Sequence, residues 1–332
     1  MFVGHKGKFK LLPLQLPRSI VLMYQQITRP FSRRKEAELA LHKSYEKLES
    51  HSKMLDNEME KGRQIQKSFL PDQPLEIPGW ETAAYFKSAY QVAGDFYDVF
   101  ELPCRCVGIV VADVCDKGVG AAIFMALFRS LFRIFSGHAA LKGFTIEGTD
   151  LQCGEIISAS EEPPTASYPP KVLKAVQLTN DYIASYHGDL GMFATVFFGV
   201  LYPVSGSLTY INAGHDSQYV VTPSGGIKAE LNPTGPAVGI DPQSRFGIEQ
   251  TLLEPGDIML GYTDGVTDAI SQEGNFFSTE KLLTSLNRPI KSAAELVDRI
   301  EKRVAVHMGK AEQHDDITLF AIRRIPLNES GT

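Results

Sequence analysis

The sequence has 332 residues, 43% hydrophobic, 22% charged and 10% aromatic, a globular balance that argues against a disordered, collagenous or repeat-dominated polymer and leaves length for two structural units. Four cysteines (Cys104, Cys106, Cys115, Cys153) form no C-x-x-C pair, which excludes a zinc knuckle or disulfide framework and points to a reducing cytosol; no apolar run approaches the roughly 18 residues of a membrane span. The net charge of -6 hides an asymmetry, since residues 1–35 carry eight Lys/Arg and no acid while 25 basic and 39 acidic residues follow, and so acidic a body argues against a nucleic-acid partner.

Residues 1–33 read as a basic segment, either in contact with an anionic membrane surface or a solvated tail, because Pro13, Pro17 and Pro30 interrupt any long amphipathic helix. Within it, Gln26-Ile27-Thr28-Arg29-Pro30-Phe31-Ser32 resembles the start of the HAMP-type linkers that follow a membrane helix. This leaves open a truncated relative of a membrane sensor or a chance match. Residues 34–71 then form a long helix rich in Glu, Lys, Leu and Gln with a stop at Pro71. Leu41, Leu48, Leu55, Gly62 and Phe69 at d, with Tyr45, Ser52, Met59 and Gln66 at a, give a weak heptad seam. A parallel dimeric coiled coil over 34–70 and a solvated or internally packed helix both fit it.

Residues 72–326 carry short β-branched and aromatic runs between glycine turns. Strands are predicted at 81–86, 106–113, 195–202, 207–213, 218–222, 258–263 and 317–323, and helices at 121–135, 171–186, 280–285 and 293–308. Adjacent strands with clustered helices favour an α+β fold with antiparallel sheets. Residues 137–170 lack periodicity and read as an extended surface excursion; residues 327–332 are a tail.

The chemical signal is the placement of acids beside apolar strands. Asp95 and Asp98 lie in Gly94-Asp95-Phe96-Tyr97-Asp98, Asp113 ends the run from Val107, Asp264 ends the run from Ile258, and Asp315-Asp316 open the run to Ile322. Any one of them could be a turn or cap residue. Together, with no cation beside each, they call for a shared divalent ion, and an oxygen-only set suits Mg²⁺ or Mn²⁺. Two such ions activate a water for attack on a phosphate ester.

Gly94 to Asp98, Ala112-Asp113-Val114-Cys115-Asp116-Lys117-Gly118-Val119, Asn212-Ala213-Gly214-His215, Tyr262-Thr263-Asp264-Gly265-Val266-Thr267-Asp268 and Asp315-Asp316-Ile317-Thr318-Leu319 occur in the order found in the bacterial metal-dependent serine/threonine phosphatases of the SpoIIE/RsbU type. The resemblance spans about residues 60 to 325 and includes Arg63 to Pro71, which resembles the regulatory helix ahead of that catalytic domain. It implies a four-layer α-β-β-α sandwich of two antiparallel sheets with two Mn²⁺ or Mg²⁺ ions at one end. Asp95, Asp113, Asp264 and Asp315 would be ligands, Asp113 bridging, with the Val114 carbonyl added. It also implies a phosphorylated protein substrate, an anti-sigma-factor antagonist of the STAS type.

His215, Asp116 and Lys117 are open between proton transfer and purely structural work, and Cys115 beside the site makes no redox sensor. Two other readings of the domain are a silent phosphatase-like binding module and a small-molecule phosphoesterase. Retention of the acid set argues against the first, and the lack of a glycine-rich nucleotide cradle against the second.

Overall fold

The computed structural model describes residues 17–71, 75–102, 105–137 and 168–326. Most of the predicted excursion, the tail, the first sixteen residues, Cys104 and Cys153 lie outside the described residues. The chain divides into two units, Met1–Glu58 and Met59–Thr332.

Helix α1 spans Arg18–Lys67, starting sixteen residues before the predicted position 34 and running through Pro30. A proline inside a helix forfeits one hydrogen bond and costs about 3 kcal/mol. The Glu/Lys/Leu-rich sequence after it outweighs that loss, helped by side-chain pairs one turn apart such as Arg34–Glu38 at 3.0 Å and Lys53–Glu49 at 2.6 Å. Leu41, Tyr45, Leu48 and Leu55 stay exposed. Gln66, placed at a seam position by the heptad, is instead buried and bonded within its own unit.

The second unit builds two five-stranded antiparallel sheets. One has the order β1 (Trp80–Lys87), β10 (Ile317–Arg324), β9 (Ile258–Tyr262), β6 (Gln218–Val221), β7 (Ile227–Leu231). The other has β2 (Phe96–Glu101), β3 (Val107–Val114), β4 (Ala194–Tyr202), β5 (Ser207–Ala213), β8 (Glu249–Leu252). Helices α2 (Val119–Phe135) and α3 (Tyr168–His187) cover the β2–β8 sheet, and α4 (Ser278–Leu286) and α5 (Ala293–Met308) cover the other.

Alternation along β3 makes the layering concrete. Val110, Ala112 and Val114 join Phe128 and Leu173 in the core under α2 and α3, while Ile109 and Val111 meet Val220, Met259 and Phe320 between the sheets. A third core lies between the other sheet and α5, around Ile300, Leu296 and Leu319. The expected α-β-β-α sandwich is therefore present. Three strands escaped prediction: β2, whose Asp98 breaks its apolar pattern, and the edge strands β7 and β8, whose side chains are mostly exposed.

Antiparallel pairing sets the functional end. Phe96 stands opposite Ala112, Asp113 opposite Thr195, and Tyr262 opposite Leu319. The starts of β2, β4 and β10 thus meet the ends of β3, β5 and β9, and every strand-end acid of the sequence except Asp98 collects there.

Candidate active site

Asp95 opens β2 and is 2% exposed. Its Oδ2 accepts hydrogen bonds from Thr263 Oγ1 and Thr318 Oγ1, each at 2.6 Å, so an acid of one sheet is fastened to two threonines of the other. Sequence reading missed both threonines; the signal was their position directly beside Asp264 and two residues after Asp316. Burial, then the neighbouring Asp113 and Asp316 charges, push the Asp95 carboxyl well above its usual range.

Asp113 ends β3 beside it. Burial first, and repulsion from Asp264, raise its pKa to about 7. Asp264 opens a short 3₁₀ turn (Asp264–Val266) after β9, and burial with the charges of Asp315, Asp216 and Asp268 raises it to about 6. That turn needs Gly265, where a Cβ would run into the Asp316 carbonyl. Gly94 is needed for the same reason: a Cβ there would lie 2.7 Å from the Val114 carbonyl oxygen and 3.6 Å from Asp113 Oδ1. Asp95, Asp113, the Val114 carbonyl and Asp264 thus crowd one cleft.

The Asp315-Asp316 pair splits its work. Asp316 is buried and spends its carboxylate on the N–H groups of Ala89 and Gly94, both at 2.8 Å. Asp315 turns outward to Lys117, Nζ to Oδ2 at 2.9 Å. Lys117 also donates to the His314 carbonyl at 2.6 Å. Burial works against its ammonium, but Asp315 outweighs that and raises its pKa. Asp116 has a left-handed φ of 70° and accepts the Lys117 N–H at 2.8 Å, an arrangement that orders the loop. Cys115 Sγ accepts the Phe193 N–H at 3.1 Å.

One expectation changes, and one residue left open finds its partners. Asp98, read as an acid without a cation, is held by Arg133 Nε at 2.6 Å and Arg129 Nε at 3.0 Å, both from α2; residues 129 and 133 fall one helical turn apart, which sequence alone hides in an apolar helix. His215 has both ring nitrogens engaged, Nδ1 with Thr195 Oγ1 at 2.7 Å and Nε2 with the Tyr262 carbonyl at 3.0 Å. A carbonyl only accepts, so Nε2 carries the proton and the threonine hydroxyl donates to Nδ1. Burial holds this ring neutral, with a pKa of about 4. It braces strand ends rather than facing the cleft with a free nitrogen.

Among the described residues the donor set is oxygen only, and a single ammonium, that of Lys117, offsets the Asp95, Asp113, Asp264, Asp315 and Asp316 carboxylates. Among the described residues no three His, Cys, Asp or Glu side chains close into a ready-made metal cage; the acids couple as Asp95 with Asp113, Asp113 with Asp264 and Asp264 with Asp315. An acidic, oxygen-only cluster of this kind fits a hard cation that retains part of its water shell.

A model of the family described as Stage II sporulation protein E (SpoIIE) matches residues 103–325. The chain belongs to the SpoIIE family. SpoIIE-type domains are PP2C-type serine/threonine phosphatases of bacterial signalling. The protein IcfG of Synechocystis sp. is 45% identical over 267 residues, which cover 80% of this chain and 41% of IcfG, so the chain spans about two fifths of that relative. Phosphoserine phosphatase RsbU of Bacillus subtilis is 22% identical over 284 residues, 85% of this chain and 75% of RsbU. Among solved structures, the SiaA-PP2C domain of Pseudomonas aeruginosa has a TM-score of 0.64 at 20% identity, covering 82% of this chain and 98% of that one. The phosphatase domain of Bacillus subtilis SpoIIE, with a fragment of its regulatory domain, has a TM-score of 0.52 at 14% identity over 74% of this chain and 63% of that one. Both likenesses are of fold. No helix among the described residues is long and apolar enough to cross a membrane.

Proposed function

We propose that this SpoIIE-family chain hydrolyses phosphoserine or phosphothreonine on a protein, using two Mn²⁺ or Mg²⁺ ions held by Asp95, Asp113, Asp264, Asp315 and the Val114 carbonyl. The observation that carries this is the cleft where, among the described residues, five carboxylates share the ammonium of Lys117. The fold brings these acids together at a cost in repulsion and desolvation that a divalent cation would offset. When bound, the ions supply an acidified water and neutralise the phosphoryl charge. The chain's own part is to hold the ligands: the Thr263 and Thr318 hydroxyls fix Asp95, Asp316 pins the loop before it, and the neutral His215 ties the ends of β4, β5 and β9. Lys117, partly exposed beside Asp315, is placed to offer its ammonium to an incoming phosphoryl group.

The substrate we infer is a phosphorylated STAS-type anti-sigma-factor antagonist. Supporting it are the motif resemblance and the similarity to RsbU, itself named a phosphoserine phosphatase. We further infer a parallel homodimer through residues 34–70. Its support is the exposed stripe of Leu41, Tyr45, Leu48 and Leu55, each at least 65% exposed, and its register would bear on activity because α1 runs on to Lys67.

The test is phosphate release from a phosphoserine STAS protein with Mn²⁺, Mg²⁺ or EDTA present. Turnover should need the metal and stop on chelation. Undiminished hydrolysis after metal-free dialysis would end the mechanism, and activity on p-nitrophenyl phosphate but on no phosphoprotein would point to a small-molecule phosphoesterase.

A further inference from the structure

The connection between β1 and β2 carries Asp95 into the cleft, and it is held from two sides. On one side Asp316 takes the N–H groups of Ala89 and Gly94. On the other stands Gln66, in the last turn of α1 and 8% exposed. Its Nε2 donates to the Ala93 carbonyl at 2.6 Å, and its Oε1 accepts the Ala93 N–H at 2.8 Å. Meeting both polar groups of one residue reproduces the double bond pattern of a strand pair, and fixes that backbone in position and in rotation.

The two residues after Ala93 give the clamp its reach. Gly94 lies against the Val114 carbonyl and the Asp113 carboxylate with no room for a Cβ, and Asp95 comes next. A shift of Ala93 would therefore press Gly94 into Val114 and turn Asp95 against its two threonines. A cap for α1 would explain a polar residue here, but the Gln66 side chain bonds to the β1–β2 connection, 27 residues away, and not to its own helix.

We propose that Gln66 is a positioning residue for the cation cleft: its two-point hold on Ala93 sets where Gly94, Asp95 and the Val114 carbonyl stand, so that affinity for divalent ions depends on the last turn of α1. The clamp rests on the metal-dependent function proposed for the cleft.

The experiment uses the full chain. Gln66→Leu removes both bonds at similar volume. Gln66→Glu keeps an acceptor for the Ala93 N–H and loses the donor. Ser292→Ala is the control, because Ser292 caps α5 by accepting the Glu295 N–H at 3.0 Å, remote from the cleft. Mn²⁺ affinity is measured by titration calorimetry, melting in EDTA by circular dichroism, and turnover with the phosphoserine STAS protein. Gln66→Leu should weaken Mn²⁺ binding about tenfold or more, as loss of a supporting partner does in metal sites, and Gln66→Glu should weaken it less. Ser292→Ala should lower the melting temperature and keep wild-type affinity. If Gln66→Leu does not fold, Gln66→Glu decides alone. Wild-type Mn²⁺ affinity in the folded Gln66 variants, or an equal loss in Ser292→Ala, overturns the proposal. A wild-type chain that binds no Mn²⁺ overturns the metal reading and this one with it. A chain that binds Mn²⁺ but releases no phosphate overturns only the phosphatase reading, and the clamp still stands or falls on affinity.

Discussion

Asp95 and Asp98 sit three residues apart at the start of one strand, both buried, and live in opposite electrostatic worlds. Asp98 points toward α2, where Arg129 and Arg133 close on it. Asp95 points toward the other sheet, where it meets two hydroxyls and the charges of Asp113 and Asp316. The chain thus neutralises a buried acid with its own arginines where structure is the purpose. In the cleft, among the described residues, it leaves a cluster of acids to share Lys117. That shortage of cations is what the proposed metal site would require.

The largest effect should come from the cleft. Asp113→Asn is expected to cut phosphatase turnover about a hundredfold or more, since several kcal/mol of transition-state stabilisation would depend on the ions it is proposed to hold. Far-ultraviolet circular dichroism should stay unchanged. Wild-type turnover and Mn²⁺ affinity in this variant would break the comparison from that side.

Asp98→Asn should do the reverse. It leaves two partly buried arginines without their carboxylate, a loss of about 2–3 kcal/mol in a urea titration, while Mn²⁺ affinity stays near wild type. A large drop in affinity with little loss of stability would mean that the two acids had been assigned to the wrong regions.

A pH series sharpens the contrast without removing a ligand. Asp113 and Asp264 have folded pKa values raised to about 7 and about 6 from the ordinary 3.8, so the metal-free native state holds protons that the unfolded chain has released. That contribution to stability is fully present below about pH 4 and is lost as pH climbs through about 7. In EDTA the protein should melt higher at pH 5 than at pH 8, by a few degrees, and Asp113→Asn should flatten the slope. A steeper fall in the variant would contradict the repulsion on which this rests.

The smallest effect is expected far from both acids. Ser52→Ile should tighten self-association by roughly 1 kcal/mol per buried side chain, read as a lower dissociation concentration in sedimentation. A chain that is monomeric with and without the substitution would dispose of the proposed dimer.

Much of the cleft was readable because carboxylates at the ends of apolar runs are costly and strand ends must gather somewhere. Asp95, Asp113, Asp264 and Asp315 could each be found that way; strand order gave the α+β class with antiparallel sheets, and the layered sandwich came from the family resemblance. Other parts were hidden for physical reasons. β7 and β8 are edge strands whose exposed Lys228, Glu230 and Glu249 look like loop. Pro30 is a genuine breaker signal that a long, favourable helix overrides. Gln66 reads as one more solvated glutamine, because its partner is a backbone 27 residues away that no periodicity reveals. The arginines of Asp98 come from a helix whose apolar face dominates its pattern.

One detail of Asp95 reaches into metal choice. With two hydroxyl protons fixed on Oδ2, that carboxylate has a single oxygen left to give, and Asp316 has spent both of its own. Calcium favours six to eight oxygens and readily takes a carboxylate by both of them, whereas magnesium is content with one oxygen from each and water for the remainder. If the cleft holds metal as proposed, two threonines with their hydroxyls turned to Asp95 would ration the oxygens on offer and favour small ions over larger, oxygen-hungry ones.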